Sequence, residues 1–302
     1  MRIKLDDVTL RVHNIGVGSP VVLLHGWPDT ADVWRHQVPA LLADHYRVIA
    51  PDLRGFGESS KPAQTEAYVA PRMVGDVLGL LDHLSIERVH LVGHDWGAAI
   101  SWMTAALVPD RVASVTALSV GHPTAFRTAG WGQREKSWYM LLFQFRGVAE
   151  QWLSADGFRN LREWSSHPDI HTVVERLADP EALAASLNLY RAILPPTSLL
   201  EPPPQLPPVE VPAMGIWSTG DRALTEEAMT GSAAHIAGPW RYERLDGVGH
   251  WMQLEAPDAV NALLLDFLGH HRHRPSSTSA SPNRPPNQVV ADSTAATSAV
   301  TA

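Results

Sequence analysis

The chain has 302 residues, a formal net charge of −8 and no cysteine. That balance lacks the basic footprint of a nucleic-acid binder, and the missing cysteines exclude disulfides, thiol nucleophiles and thiolate metal sites. Its 45% hydrophobic content supplies an ordinary core. No apolar run nears the ~18 residues of a membrane span, and Met1-Arg2-Ile3-Lys4-Leu5-Asp6-Asp7 lacks the apolar segment of a signal peptide, so a cytoplasmic protein with no membrane partner is expected.

In chain order, short apolar runs at 21–24, 47–50, 89–92 and 112–118 read as strands. Their continuous apolar character fits a mostly parallel sheet buried on both faces. Between them, 73–84 carries Val74, Val77, Leu78, Leu81 and Leu84 at helical spacing. Strand–helix alternation of this kind predicts an α/β architecture. From residue 122 to 206 the strand signals stop and tryptophan-rich helical patterns take over. An insert that long is more often a functional lid than a loop. Pro195-Pro196, Pro202-Pro203-Pro204 and Pro207-Pro208 predict a stiff, extended return. Strands at 211–218 and 240–245 and a helix at 256–268 follow. The expected division is a core of 1–121 and 207–269, a helical lid of 122–206, and a tail of 270–302. The tail is rich in Ser, Thr, Ala and Pro and is expected to be disordered for want of large apolar side chains. His270-His271-Arg272-His273 reads as a solvated basic run, and no metal site is expected.

The strongest chemical signal is Gly93-His94-Asp95-Trp96-Gly97, placed after the 89–92 strand and before a helical pattern. This is the strand–turn–helix setting of a nucleophile elbow, with aspartate where serine is common. Taken alone, Asp95 could merely cap the helix. Two downstream residues argue for more. Asp221 follows the 211–218 strand and His250 follows the 240–245 strand. The order nucleophile, acid, histidine is that of the α/β-hydrolase fold, and C-terminal strand ends are where open α/β sheets place their sites. His25-Gly26-Trp27-Pro28 follows the first apolar strand. In this fold such a loop lends a backbone N–H to an oxyanion hole, alongside the residue after the nucleophile, here Trp27 and Trp96. A cis peptide at Pro28 suits so tight a turn. His25 and His94 are expected to brace these loops rather than to ligate metal.

These motifs resemble those of the α/β-hydrolase-fold epoxide hydrolases. The resemblance rests on His25-Gly26-Trp27-Pro28-Asp29, Asp52-Leu53-Arg54-Gly55-Phe56-Gly57-Glu58-Ser59, Gly93-His94-Asp95-Trp96-Gly97 and Gly249-His250, and spans the chain to about residue 269. It implies two lid tyrosines that hold the epoxide oxygen. Tyr139-Met140-Leu141-Leu142-Phe143-Gln144 with Gly147-Val148-Ala149-Glu150 is similar to the first tyrosine's motif, although Phe145-Arg146 stands where the family commonly has Glu-Pro. Leu187-Asn188-Leu189-Tyr190-Arg191 is similar to the second. The implied reaction opens an apolar epoxide by attack of Asp95, gives an ester that His250 and Asp221 hydrolyse with water, and calls for no cofactor. Trp138, Phe143 and His122 are further expected to line the substrate pocket.

A haloalkane dehalogenase shares the aspartate, the following tryptophan and the histidine, but its usual Asn after His-Gly is absent here. A fluoroacetate-type dehalogenase would have Arg in place of Trp96, and a serine esterase would have Ser in place of Asp95. A non-catalytic binding protein on the same fold would have no use for an intact triad.

Overall fold

The computed structural model describes residues 1–203 and 205–272. Its strands are β1 (Arg2–Lys4), β2 (Thr9–Ile15), β3 (Ser19–Leu24), β4 (Tyr46–Pro51), β5 (Val89–His94), β6 (Val112–Leu118), β7 (Ala213–Ser218) and β8 (Trp240–Leu245). They form one sheet in the order β1-β2-β4-β3-β5-β6-β7-β8. Pairing is antiparallel for β1 with β2 and β2 with β4, and parallel from β4 to β8. Every expected strand is present, and β7 begins two residues late, directly after Pro212, which has no N–H to give a ladder. The antiparallel edge was not anticipated. In β2, however, Leu10 and Val12 are buried between partly exposed neighbours, the period-two pattern of a strand covered on one face.

The helices are α1 (Gln37–Ala43), α2 (Ala70–His83), α3 (Trp96–Leu107), α4 (Pro123–Thr128), α5 (Trp131–Lys136), α6 (Trp138–Leu142), α7 (Val148–Ser165), α8 (Ile170–Leu177), α9 (Pro180–Ile193), α10 (Glu226–Thr230), α11 (Met252–Glu255) and α12 (Pro257–His270). Alternation along the strands splits the core into two layers. Val22, Leu24 and Leu91 pack with α2 and α3, while Val21, Leu23 and Val92 pack with Leu41 of α1 and with Val260 and Leu264 of α12. Burying each such side chain contributes about 1.5–3 kcal/mol.

Between β6 and β7 the described chain is helical, from α4 to α9. Within α7 the helix breaks at Asp156, Gly157 and Phe158, whose φ angles are positive. The proline-rich return is not extended throughout: Pro196–Leu200 forms a 3-10 turn, because the fixed φ of proline suits a first helical turn. Val209 then pairs with Ile236 and carries the chain back to the sheet. At the C-terminal end, α12 runs on through His270. Arg272 donates to the Tyr46 hydroxyl at 2.7 Å and lies 4.3 Å above its ring. The rest of the expected tail, from 273, lies outside the described residues. Among the described residues, no helix is long and apolar enough to cross a membrane.

Candidate active site

The chain leaves β3 toward β4 on one side of the sheet and returns to β5 on the other. The crevice at such a switch point lies between the loops that follow β3 and β5. These loops carry Trp27 and Asp95. Asp95 itself takes φ 52° and ψ −120°, a strained conformation for a residue with a Cβ. The backbone beside it is tightly packed. A Cβ at Gly97 would strike the Leu24 carbonyl, and one at Gly26 would strike the Asp95 side chain. Glycine is therefore required at both positions, and the Asp95 carboxylate presses against the backbone of the β3 loop.

That contact is a hydrogen bond. The Trp27 amide donates to Asp95 Oδ1 at 2.8 Å, and the Trp96 amide, at the start of α3, favours the ionised carboxylate. The Trp27–Pro28 peptide is cis. Burial raises the Asp95 pKa above the usual carboxylate value, and the positive charge of His250 and the two amides act against that rise. His250 Nε2 lies 3.8 Å from Asp95 Oδ2. On its other side, His250 Nδ1 meets Asp221 Oδ2 at 2.9 Å. Asp221 is fixed in turn by the Ala223 and Leu224 amides, which donate to Oδ1 at 2.8 and 2.9 Å. Burial disfavours the His250 imidazolium, but the charges of Asp221 and then Asp95 raise its pKa to about 9. Asp221 is also buried, yet His250 holds its carboxyl below the usual range. The three residues thus form a connected row along the C-terminal strand ends.

Tyr139 (α6) and Tyr190 (α9) face this row. Both are buried, 3% and 1% exposed. Their ring centroids lie 6.0 Å apart, and the Trp96 ring stands edge-on to Tyr190 at 5.0 Å. Burial and the neighbouring carboxylates push both phenols well above the usual pKa, so both stay protonated.

Asp95 borders two cavities. One, of about 410 Å³, is lined by apolar side chains that include Met103, Val120, Phe126, Met140 and Leu194. The other, of about 30 Å³, is lined by Trp27, Tyr139, Trp164, Tyr190, His250 and Trp251 among others. The two share Asp95 and no other lining residue.

The residues first expected to line the pocket lie elsewhere. His122 is fully buried, accepts a hydrogen bond from the Thr124 amide and stacks on His235 with centroids 4.7 Å apart. It caps α4, because a residue preceding the Pro123 start of a helix is well placed for that role. Phe143 is fully buried behind the tyrosines, 5.5 and 5.1 Å from their rings, and touches neither cavity. Trp138 is 43% exposed and lines a separate surface depression. They belong to the segment that carries the tyrosines, but the direction each side chain faces depends on how its helices pack.

The motif at 52–59 proves to be bracing. Asp52 accepts from the Ala31 and Glu58 amides at 2.9 and 3.1 Å. Arg54 is buried and grips Asp76 with two bonds of 2.6 Å. The Leu53 amide donates to His25 Nε2 at 2.9 Å. His94 contacts the His250 carbonyl oxygen at 3.0 Å, and burial, then the His250 charge, depress its pKa to about 3. It is therefore neutral at physiological pH.

Sequence reading missed the fastenings between this site and the α4–α9 segment. Asp29 is buried, contacts His167 at 3.0 Å and accepts from the Trp251 indole at 2.9 Å, beside His250. Gln133 and Lys136 of α5 donate to carbonyls of the Asp221 loop. Ser186 of α9 accepts from the Trp27 indole at 3.2 Å. Asp29 stood in a recognised motif, but nothing along the chain marks His167 as its partner.

Comparison with known proteins gives a consistent picture. A family model described as alpha/beta hydrolase fold matches residues 19–257. Epoxide hydrolase A of Mycobacterium tuberculosis is 36% identical over 88% of this chain and 96% of that protein. A solved structure titled as a novel epoxide hydrolase from metagenomes of hot environments is 31% identical with a TM-score of 0.80, covering 89% of this chain and 97% of that one. A point mutant of an epoxide hydrolase from Bacillus megaterium is 27% identical with a TM-score of 0.81, over 89% and 100% of the two chains.

Proposed function

Because this chain belongs to the α/β-hydrolase-fold epoxide hydrolase family, we propose that it hydrolyses an apolar epoxide to a vicinal diol through a covalent ester on Asp95. The observation that carries this reading is the meeting of Asp95, His250 and the Tyr139–Tyr190 pair around one small pocket. We further take 122–206 as a lid that closes over the 1–121 and 207–269 core.

The chemistry follows from the geometry. An epoxide carbon is a saturated electrophile and needs in-line attack by an anion. Asp95 Oδ2 is left to attack while Oδ1 is held by the Trp27 amide, and the positive charge of His250 favours the carboxylate. Attack forms a C–O bond to Asp95 and breaks the ring C–O bond. The departing alkoxide is strongly basic, and two protonated phenols supply hydrogen bonds as charge develops and then a proton. Esterification neutralises Asp95, which removes one of the three carboxylates favouring the imidazolium. The His250 pKa then falls, its proton replaces the one the phenol gave up, and the neutral imidazole can take a proton from water. The resulting hydroxide adds to the ester carbonyl, whose oxyanion sits against the Trp27 and Trp96 amides. Collapse breaks the acyl C–O bond, the imidazolium protonates the departing diol oxygen, and the new Asp95 carboxyl returns its proton to His250, restoring the starting ion pair. Splitting one hard displacement into two easier steps is the gain of covalent catalysis.

Tyr139 and Tyr190 stand ready to protonate a departing alkoxide, which a departing halide does not need, and this favours epoxide opening over dehalogenation. His250→Gln tests the proposal. With styrene oxide, intact-mass spectrometry should show an adduct of one substrate mass on the variant, absent from Asp95→Asn. An unmodified His250→Gln chain, with Asp95→Asn still active, would refute the mechanism.

A further inference from the structure

The two cavities that meet at Asp95 differ more than tenfold in volume, about 410 against about 30 Å³. Asp95 is their only common lining residue, so a bound epoxide has its reacting carbon at the junction. Both tyrosines border the small pocket and none borders the large one. Under the reading above, on which this inference rests, the ring oxygen therefore points into the small pocket. Oxygen and an unsubstituted ring carbon nearly fill such a space. Any bulky group must extend into the large cavity, whose Met103, Val120, Phe126, Met140 and Leu194 side chains suit an apolar substituent.

What closes the small pocket is specific. Trp164, at the end of α7, packs 4.6 Å from the Tyr139 ring and 6.1 Å from Trp27. Beyond it lies a surface depression of about 500 Å³ that shares only Trp164 and Arg222 with the small pocket. Trp164 thus stands as a wall between a space too small for a second substituent and a space large enough for one.

We propose that this protein selects terminal epoxides bearing one large apolar group, and that Trp164 is the residue that excludes epoxides carrying bulky groups on both ring carbons. Removing the indole joins the small pocket to the surface depression and relaxes the exclusion. Filling the large cavity penalises the bulky terminal substrate instead.

The test compares kcat/KM for phenyl glycidyl ether, trans-stilbene oxide and propylene oxide, read as ratios so that the fraction of folded enzyme cancels. Wild type should prefer phenyl glycidyl ether to trans-stilbene oxide by about 100-fold or more, the scale on which pocket fit discriminates substrates. Trp164→Ala should shift that ratio about tenfold toward trans-stilbene oxide. Leu194→Trp should shift the ratio of phenyl glycidyl ether to propylene oxide about tenfold against the larger substrate. Equal wild-type turnover of the two bulky epoxides, or ratios unmoved by either variant, would overturn the inference while leaving epoxide hydrolysis intact. No hydrolysis of any of the three would overturn the proposed activity itself.

Discussion

Asp95 gains its chemistry from where its backbone is held. Positive φ at the strand–helix turn lifts the carboxylate out of the sheet, and the Trp27 amide then fixes one of its oxygens at 2.8 Å. Tyr139 and Tyr190 owe theirs to burial, which keeps both hydroxyls protonated as donors. Changing both to Phe preserves the packed rings and removes both donors. A departing alkoxide needs them, whereas a departing halide is a weak base and does not. Each donor lost at a developing oxyanion costs about 10²-fold or more in rate. Two donors to one atom act non-additively. The single Phe variants should therefore keep partial activity, and the double variant should be nearly inactive on styrene oxide with an unchanged circular dichroism spectrum. A double variant as fast as wild type would show that the two phenols do not serve the departing alkoxide.

At the scale of elements, the α4–α9 segment is tied to each loop of the site. Asp29 is the tie with the largest electrostatic content. Burial opposes its ionisation, but the charge and hydrogen bond of His167, with Arg176 behind, hold its carboxyl well below the usual range. A carboxylate with a depressed pKa adds stability that is complete above its unfolded pKa of about 3.9 and fades as pH falls through the folded value. Breaking a buried pair costs about 3 kcal/mol. Asp29→Asn should accordingly melt about 6 °C below wild type at pH 6, with the gap narrowing as pH falls below about 4. Calorimetric scans from pH 3 to 6 check this, and a gap that stays constant down to pH 3 would show that Asp29 contributes by shape and not by charge. Because Trp251 donates to Asp29 and follows His250 directly, the same variant should also slow ester hydrolysis more than ester formation in single-turnover kinetics.

For the molecule as a whole, α12 is the last helix among the described residues, and Arg272 then lies on Tyr46 at the start of β4. Residues 273–302 carry valine as their only large apolar side chain. A chain ending at Arg272 should match the full chain in melting temperature within about 1 °C. A chain ending at Gly269 loses the cation–π contact and its hydrogen bond, together about 1 kcal/mol, and should melt about 2 °C lower. Equal melting of both truncated chains would show that Arg272 is a spectator.

The sequence by itself determined the elements whose signal is local. Buried parallel strands announce themselves as unbroken apolar runs, as at Val89–His94, because both faces of the strand are covered. Asp95 and Asp221 were legible because each follows such a strand, and His250 because it follows the neighbouring edge strand Trp240–Leu245; an open α/β sheet gathers its C-terminal strand ends into one place. Tyr139 and Tyr190 were legible only through resemblance, since nothing in an isolated helix says which tyrosine faces inward. The antiparallel edge escaped notice because Arg2–Lys4 is too short to show a period, although Leu10 and Val12 did carry one. Tertiary structure alone decided which side chains of the α4–α9 segment meet the site. His122, Phe143 and Trp138 turned to other neighbours, while Trp164, Met140 and Leu194 line the cavities. It also decided the Asp29–His167 pair, whose members stand 138 positions apart. Contacts between residues so distant are set by how whole helices pack, a collective balance of volumes and buried charges that no stretch of sequence encodes locally.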